Sequence, residues 1–221
     1  LRVRPSGNVK TMMDAKMKGM VMAGMMGLSL ILAGIAIFSN SWLTSEEDDV
    51  TTNTGLSNQE IIMDAEEDEM CDFMKDMYEE MFKDATVECD DAVLTMTIGI
   101  SDLCETIEEA EGEADEDCED GASAGTMGSI GMWGGLVLAL LATLMMVLPM
   151  AGVDAMDAIP EMGQKVISWG AGGLMLLGLL MWYFMLPDGD SDMASGLLMA
   201  GAAMSLALGS TLIGQFIPEN E

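Results

Sequence analysis

The sequence predicts an all-α membrane protein: a four-transmembrane-helix bundle carrying an acidic, mostly helical, disulfide-stapled domain in its first outer loop. Three observations predict it. Half of the 221 residues are hydrophobic although the formal net charge is −30, so apolar and charged residues must be segregated. Four windows, 19–45, 121–153, 166–187 and 193–220 apart from Glu219, contain no charged residue. All four cysteines fall between the first and second of these windows.

The elements follow in chain order. Residues 1–18 form a basic N-terminal segment. Residues 19–38, 129–152, 166–186 and 194–217 are the four predicted spans. Crossing ~30 Å of hydrocarbon takes about 20 helical residues. One Asp, Lys or Arg at a span centre would cost roughly 2.5–3.5 kcal/mol. None of the four cores contains one, and none shows the polar stripe that a soluble core helix of this length carries. The first run follows basic residues, as a secretory signal does. It is longer than a signal's apolar region and no A-x-A site follows it, so it reads as a span.

Lysine and arginine set the orientation. Arg2, Arg4, Lys10, Lys16 and Lys18 precede the first span, and Lys165 precedes the third. Positive-inside bias puts the N-terminus in the cytoplasm of a multi-pass cell-membrane protein. The 153–165 loop and the tail 218–221 are then also inside, while 39–128 and the turn 187–193 are outside. Trp42, Trp133 and Trp182 fall near the outer boundary and Trp169 near the inner one, where amphipathic rings anchor a span. Trp42 reads as an interfacial anchor.

The outer segment is strongly acidic. From residue 46 to 120 there are 29 carboxylates against two lysines, a net −27. "TSEEDDVTTNTG" and "EGEADEDCEDGASAG" read as linkers. "SNQE" at 57–60 reads as a capping box. Beyond it, Ile62, Met70, Phe73, Met74, Met77, Tyr78, Met81 and Phe82 predict an amphipathic helix over 58–83. A second helix is expected at 91–110, through Val93, Met96, Ile100, Leu103, Cys104 and Ile107. The alternation in "VLTMTIGI" also allows a short strand there. Cys71, Cys89, Cys104 and Cys118 are even in number and confined to one side, which points to disulfides in an oxidising compartment. A helical hairpin turning near Cys89 would pair Cys71 with Cys104 and leave Cys89 for Cys118.

The composition excludes much chemistry. The chain has no histidine, so Ser–His and Cys–His nucleophile systems and His-ligated metals are absent. No ionisable residue sits in a span core to mark a proton or ion path. The protein reads as a non-enzyme without a cofactor, and its charge leaves no footprint for nucleic acid. Two acidic runs raise the question of weak calcium binding: Asp188, Asp190 and Asp192 in "DGDSD", and Asp115, Asp117 and Glu119 in "DEDCEDG". Both lack the glycine that an EF-hand needs at its sixth position. The 26 methionines run through spans and outer segment alike, so they read as packing rather than copper ligands. Gly19–Ala23–Gly27, Gly131–Gly135 and Gly196–Ala200 form small-residue helix faces that let membrane helices approach closely, within the chain, in a homo-oligomer or against a protein partner.

This layout resembles the claudin and peripheral-myelin-protein class of tetraspan proteins. Trp42 just after the first span and the cysteines of the large first outer loop carry the likeness. Gly55-Leu56 is the part of the family's G-L-W-x-x-C-x-C-like signature that stands in this chain. In the family the outer loop is mostly strand. The resemblance implies contact, sealing or accessory-subunit work. The expected function is therefore partner or envelope contact through the acidic domain. The alternative is a cation channel with that domain as an electrostatic funnel, which would need polar lining from Ser29, Thr143, Ser205, Ser210, Thr211 and Gln215.

Overall fold

A computed structural model describes residues 13–47, 49–112, 116–150, 152, 160–186, 191–217 and 219–220. Four of its helices are long and apolar enough to cross a membrane: α1 (Ala15–Phe38), α4 (Glu116–Met150), α5 (Glu161–Met185) and α6 (Ser195–Phe216). α4 packs along α5 and α1 along α6, and α1–α4 and α5–α6 contacts close the bundle. Its interior is made of small residues and methionine, among them Ala33, Ala36, Ala139, Ala171, Ala203 and Met175. Its outer surface carries the large apolar side chains, such as Leu28, Ile31 and Ile35 on α1 and Val137, Leu140 and Leu144 on α4. A soluble bundle would bury the large ones. This inverted distribution suits a hydrocarbon solvent, in which close packing of small residues holds helices together.

Serine and threonine supply the remaining cohesion. Ser29 Oγ donates to Ala203 O at 2.6 Å, tying α1 to α6, and Ser210 Oγ donates to Met22 O at 3.0 Å. Thr211 Oγ1 reaches Ser168 O on α5 at 3.1 Å. At one end of the bundle, Lys18 Nζ donates to Ile217 O at 2.8 Å, and β1 (Met13–Asp14) pairs in parallel with β8 (Glu219–Asn220).

The other end carries a six-stranded antiparallel sheet, where helices were expected. It consists of β2 (Leu43–Glu47), β3 (Val50–Thr54), β4 (Asn58–Asp64), β5 (Thr86–Asp90), β6 (Val93–Gly99) and β7 (Asp192–Met193), in the order β5-β6-β4-β3-β2-β7. The expected 58–83 helix is thus divided. Its first part, with consecutive Ile61 and Ile62, is strand, and only α2 (Asp68–Met81) is helix. The reason is visible in the composition: from residue 64 to 69 there are five carboxylates and a single apolar residue, Ala65, so the stripe is interrupted before Met70. Ser57–Glu60 is no capping box, because β4 begins at Asn58. The expected 91–110 helix divides likewise into β6 and α3 (Ile100–Glu111). Here the strand alternative holds: Leu94, Met96 and Ile98 alternate inward. The "TSEEDDVTTNTG" linker is the β2–β3 hairpin, with Leu43 opposite Thr54 and Glu47 opposite Val50. Most of the second linker is the start of α4, which begins well before the apolar window. The all-α expectation therefore fails for this domain, and the short β1–β8 pair at the other end of the bundle departs from it as well.

One sheet face is covered. α2 lays Cys71, Met74 and Tyr78, followed by Phe82, against Val87, Leu94, Met96, Ile61 and Met63. The opposite face, with Thr44, Asn53 and Glu60, is open and hydrogen-bonded across strands: Thr44 Oγ1 lies 2.9 Å from Asn53 Oδ1, and Asn53 Nδ2 donates to Glu60 Oε2 at 3.1 Å.

The disulfides are Cys71–Cys89, binding α2 to β5, and Cys104–Cys118, binding α3 to α4. The expected 71–104 and 89–118 pairing is wrong because it assumed two facing helices, and the sheet instead puts β5 beside α2. Each bond closes a short loop, of sequence separation 18 and 14. Loops of that size stabilise by roughly 3 kcal/mol in the chain-entropy model. Non-reducing peptide mapping should recover these two pairs alone. Cys71→Ala with Cys89→Ala should lower domain stability by about that amount. A 71–104 peptide would overturn the sheet topology.

Candidate functional site

The seam between sheet and bundle is the most constructed part of the molecule. Trp42 is wholly buried there, and its indole Nε1 donates to Ala36 O at 2.7 Å, satisfying the last turn of α1. Its backbone N–H donates to Thr54 O, and its carbonyl accepts from Ala194 N at 3.0 Å. One residue therefore joins α1, β3 and the entry to α6. Its ring meets Trp182 of α5 edge-on at 5.2 Å, and Trp182 is buried as well. Trp42 and Trp182 thus face each other inside the protein, which corrects their reading as outward anchors. Trp133 and Trp169 do expose their rings, and Trp133 makes an edge contact with Phe38 at 5.7 Å.

A second clasp lies beside this pair. Leu56, at the tip between β3 and β4, is buried. A Cβ on Gly125 of α4 would collide with Leu56 O, and one on Gly128 would lie 2.8 Å from Leu56 Cδ2 and 3.2 Å from Trp182 Cβ. The glycines of α4 make room for the loop tip. β7 adds a third tie, because Leu43 pairs with Met193 and Thr44 with Asp192. Sequence reading did not find β7, since two residues after an acidic turn carry no strand signal. Gly55-Leu56 was noticed only through the resemblance.

Asp115, Asp188 and Asp190 lie outside the described residues. Asp117 lies in the first turn of α4, Glu119 is exposed two residues further on, and Asp192 is exposed in β7. Among the described residues, no group of three or more carboxylates or cysteines comes together to hold a metal ion. The charge is instead spread over the surface of the sheet domain, where self-repulsion opposes the compact state. Its range shrinks from ~30 Å at 0.01 M salt to ~3 Å at 1 M. The full-length protein in a non-ionic detergent should therefore melt higher as NaCl rises, with most of the gain by a few tenths molar. Calcium should add nothing at matched ionic strength. An added calcium effect would point back to Asp115 and Asp190.

α2 is apolar on two sides. Its buried side faces the sheet. Its other apolar side consists of Met70, Phe73, Met77 and Met81, all exposed, with Phe73 at 65%. Spacings of three, four and four residues align them along the helix. Glu69, Asp76 and Glu80 run beside them. Lys75 projects to the far side and lies 3.9 Å from Glu79.

At the opposite end of the bundle is a cavity of about 580 Å³, lined by Gln164, Lys165, Ser168, Trp169, Thr211 and Gln215 among others. It does not continue as a polar path. The hydroxyls of Ser29, Thr143, Ser205, Ser210 and Thr211 are all taken up by backbone carbonyls. Among the described residues no buried side-chain polar atom lacks a partner.

No protein-family model matches the chain, and no curated protein matches it significantly.

Proposed function

We propose that this is a non-enzymatic tetraspan membrane protein whose acidic outer domain makes contact with a protein partner. In this reading both termini are cytoplasmic, with Arg2, Arg4, Lys10, Lys16 and Lys18 at the inner face. One observation carries it: the domain fixed to the bundle by Trp42 and Leu56 presents a row of exposed methionine and phenylalanine on α2. Monomeric soluble surfaces rarely keep such rows open without a use. The antiparallel sheet and the buried tryptophan after α1 also support membership of the claudin and peripheral-myelin-protein class, whose outer loop is mostly strand.

The cation-channel reading loses support from the bundle. Hydroxyls that could line a pore are spent on interhelical and intrahelical bonds, and large apolar side chains face outward. The experiment is purification of the native complex in mild detergent, followed by reconstitution in liposomes. A stoichiometric partner and cation flux at the level of empty liposomes are expected. A lone protein that conducts cations would reverse the two readings.

A further inference from the structure

We infer that the open face of α2 seats a cationic amphipathic helix belonging to the partner. The inference rests on the partner-contact reading and gives the partner its chemistry. Met70, Phe73, Met77 and Met81 span twelve residues of helix, about 16 Å from the first to the last. That length takes the apolar anchors of roughly three turns of a docked helix, placed at i, i+3 or i+4, and i+7. Methionine suits the task because its unbranched thioether repacks around different shapes.

Charge selects the occupant. On the helical wheel Glu69, Asp76 and Glu80 border the row on one side, and Lys75 lies across the helix with Glu79. The segment 46–120 holds only one other lysine, Lys83, beyond the α2 C-cap Phe82. A helix with lysine or arginine beside its apolar stripe would bury the row and meet these carboxylates at once. A second copy of this chain would bring two like-charged domains together, each near −27 from residue 46 to 120. A phospholipid surface would set its phosphates against the same carboxylates. Both alternatives meet repulsion where the cationic helix meets attraction.

The test uses the full chain in zwitterionic-lipid nanodiscs. An amphipathic Leu/Lys peptide of about 18 residues is compared with a scrambled isomer of equal charge, with empty nanodiscs subtracted. Binding at least ~10-fold tighter for the amphipathic isomer is expected near 0.15 M salt. Phe73→Ser with Met77→Ser should abolish that preference, and far-ultraviolet circular dichroism should be unchanged because both side chains are exposed. Glu69→Gln, Asp76→Gln and Glu80→Gln together should weaken both peptides. Equal affinity for the two isomers, or a preference that survives Phe73→Ser/Met77→Ser, would overturn the inference. A photo-crosslinker at position 77 provides the cellular arm. Crosslinks that map to a basic amphipathic segment support it, and crosslinks to lipid or to a second copy overturn it. If the native complex contains a partner that position 77 never reaches, the inference fails while the partner reading stands. If no partner is present, both fail.

Discussion

Trp42→Ala is expected to destabilise the protein by roughly 3–5 kcal/mol, the range for truncating a fully buried aromatic. Three losses combine in that figure. The indole volume empties in a place where the neighbouring Trp182 and the backbones around Gly196 cannot readily close the gap. The edge-on contact with Trp182 disappears. The hydrogen bond to Ala36 O, 2.7 Å long, is lost, and that carbonyl at the end of α1 keeps only the Ser39 N–H at 3.2 Å. Trp42→Phe separates these terms, since it keeps most of the ring and removes only the donor. It should cost about 0.5–1.5 kcal/mol, the net contribution of one hydrogen bond. Thermal melting in a non-ionic micelle is the measurement. An interfacial anchor would act through headgroups, so its loss would be mild in a micelle and large in a bilayer. A buried keystone is expected to cost the same in both.

What the sequence made legible was the solvent. Charge-free windows, basic flanks and the absence of ionisable residues locate four apolar helices within a few residues of α1, α5 and α6, because burying a charge in hydrocarbon is so costly that composition alone reports it. α4 was missed at its start. Glu116 to Gly128 is polar and glycine-rich, and nothing local shows that a helix continues through it until Cys104–Cys118 and the Leu56 clasp are seen to hold it in place.

The sheet domain was legible only in part, for a physical reason. Its strands are acidic and threonine-rich on the open face, so the period-two apolar signal survives only in β6, which buries Leu94, Met96 and Ile98, and in the short β5, through Val87 and Cys89. In β2 and β3 the inward positions include Ser45, Thr52 and Thr54, which carry no hydrophobic signature. The helical stripe from Met70 to Phe82 was read correctly as a stripe. That it has two faces, one buried and one open, depends on which side of α2 the sheet occupies. The Cys71–Cys89 bond and the β5–β6 hairpin decide that, not the helix itself. The tryptophans show the same limit. Composition tells that a ring is near a boundary, whereas Trp42 and Trp182 are turned inward by pairing with each other.

Gly131→Leu is expected to cost more than about 3 kcal/mol, beyond ordinary overpacking, and to leave little folded protein after extraction. The reason is a backbone-to-backbone crossing. A Cβ on Gly131 would collide with the Cα of Gly178 and lie 2.8 Å from its nitrogen and 2.9 Å from Leu174 O. Backbone cannot rotate out of the way as a side chain does, so α4 and α5 would have to separate along their shared face. Gly135 sits one turn on, where an added Cβ would lie 2.8 Å from Ala171 O, so the parting could not be confined to one point. Even Gly131→Ala should lower the melting point clearly. The control is Gly27→Leu on α1. A Cβ there meets nothing within 4 Å, and the change should stay within about 0.5 kcal/mol for the isolated chain. The pair of variants decides what the small-residue faces are for. Gly131 and Gly135 are consumed inside the molecule, whereas Gly27 has space beside it. If Gly27→Leu is silent in the melt of the purified chain but lowers the mass of the native complex, the free face of α1 is where another transmembrane helix packs. If it is silent in both, the face of α1 around Gly27 packs against no other transmembrane helix.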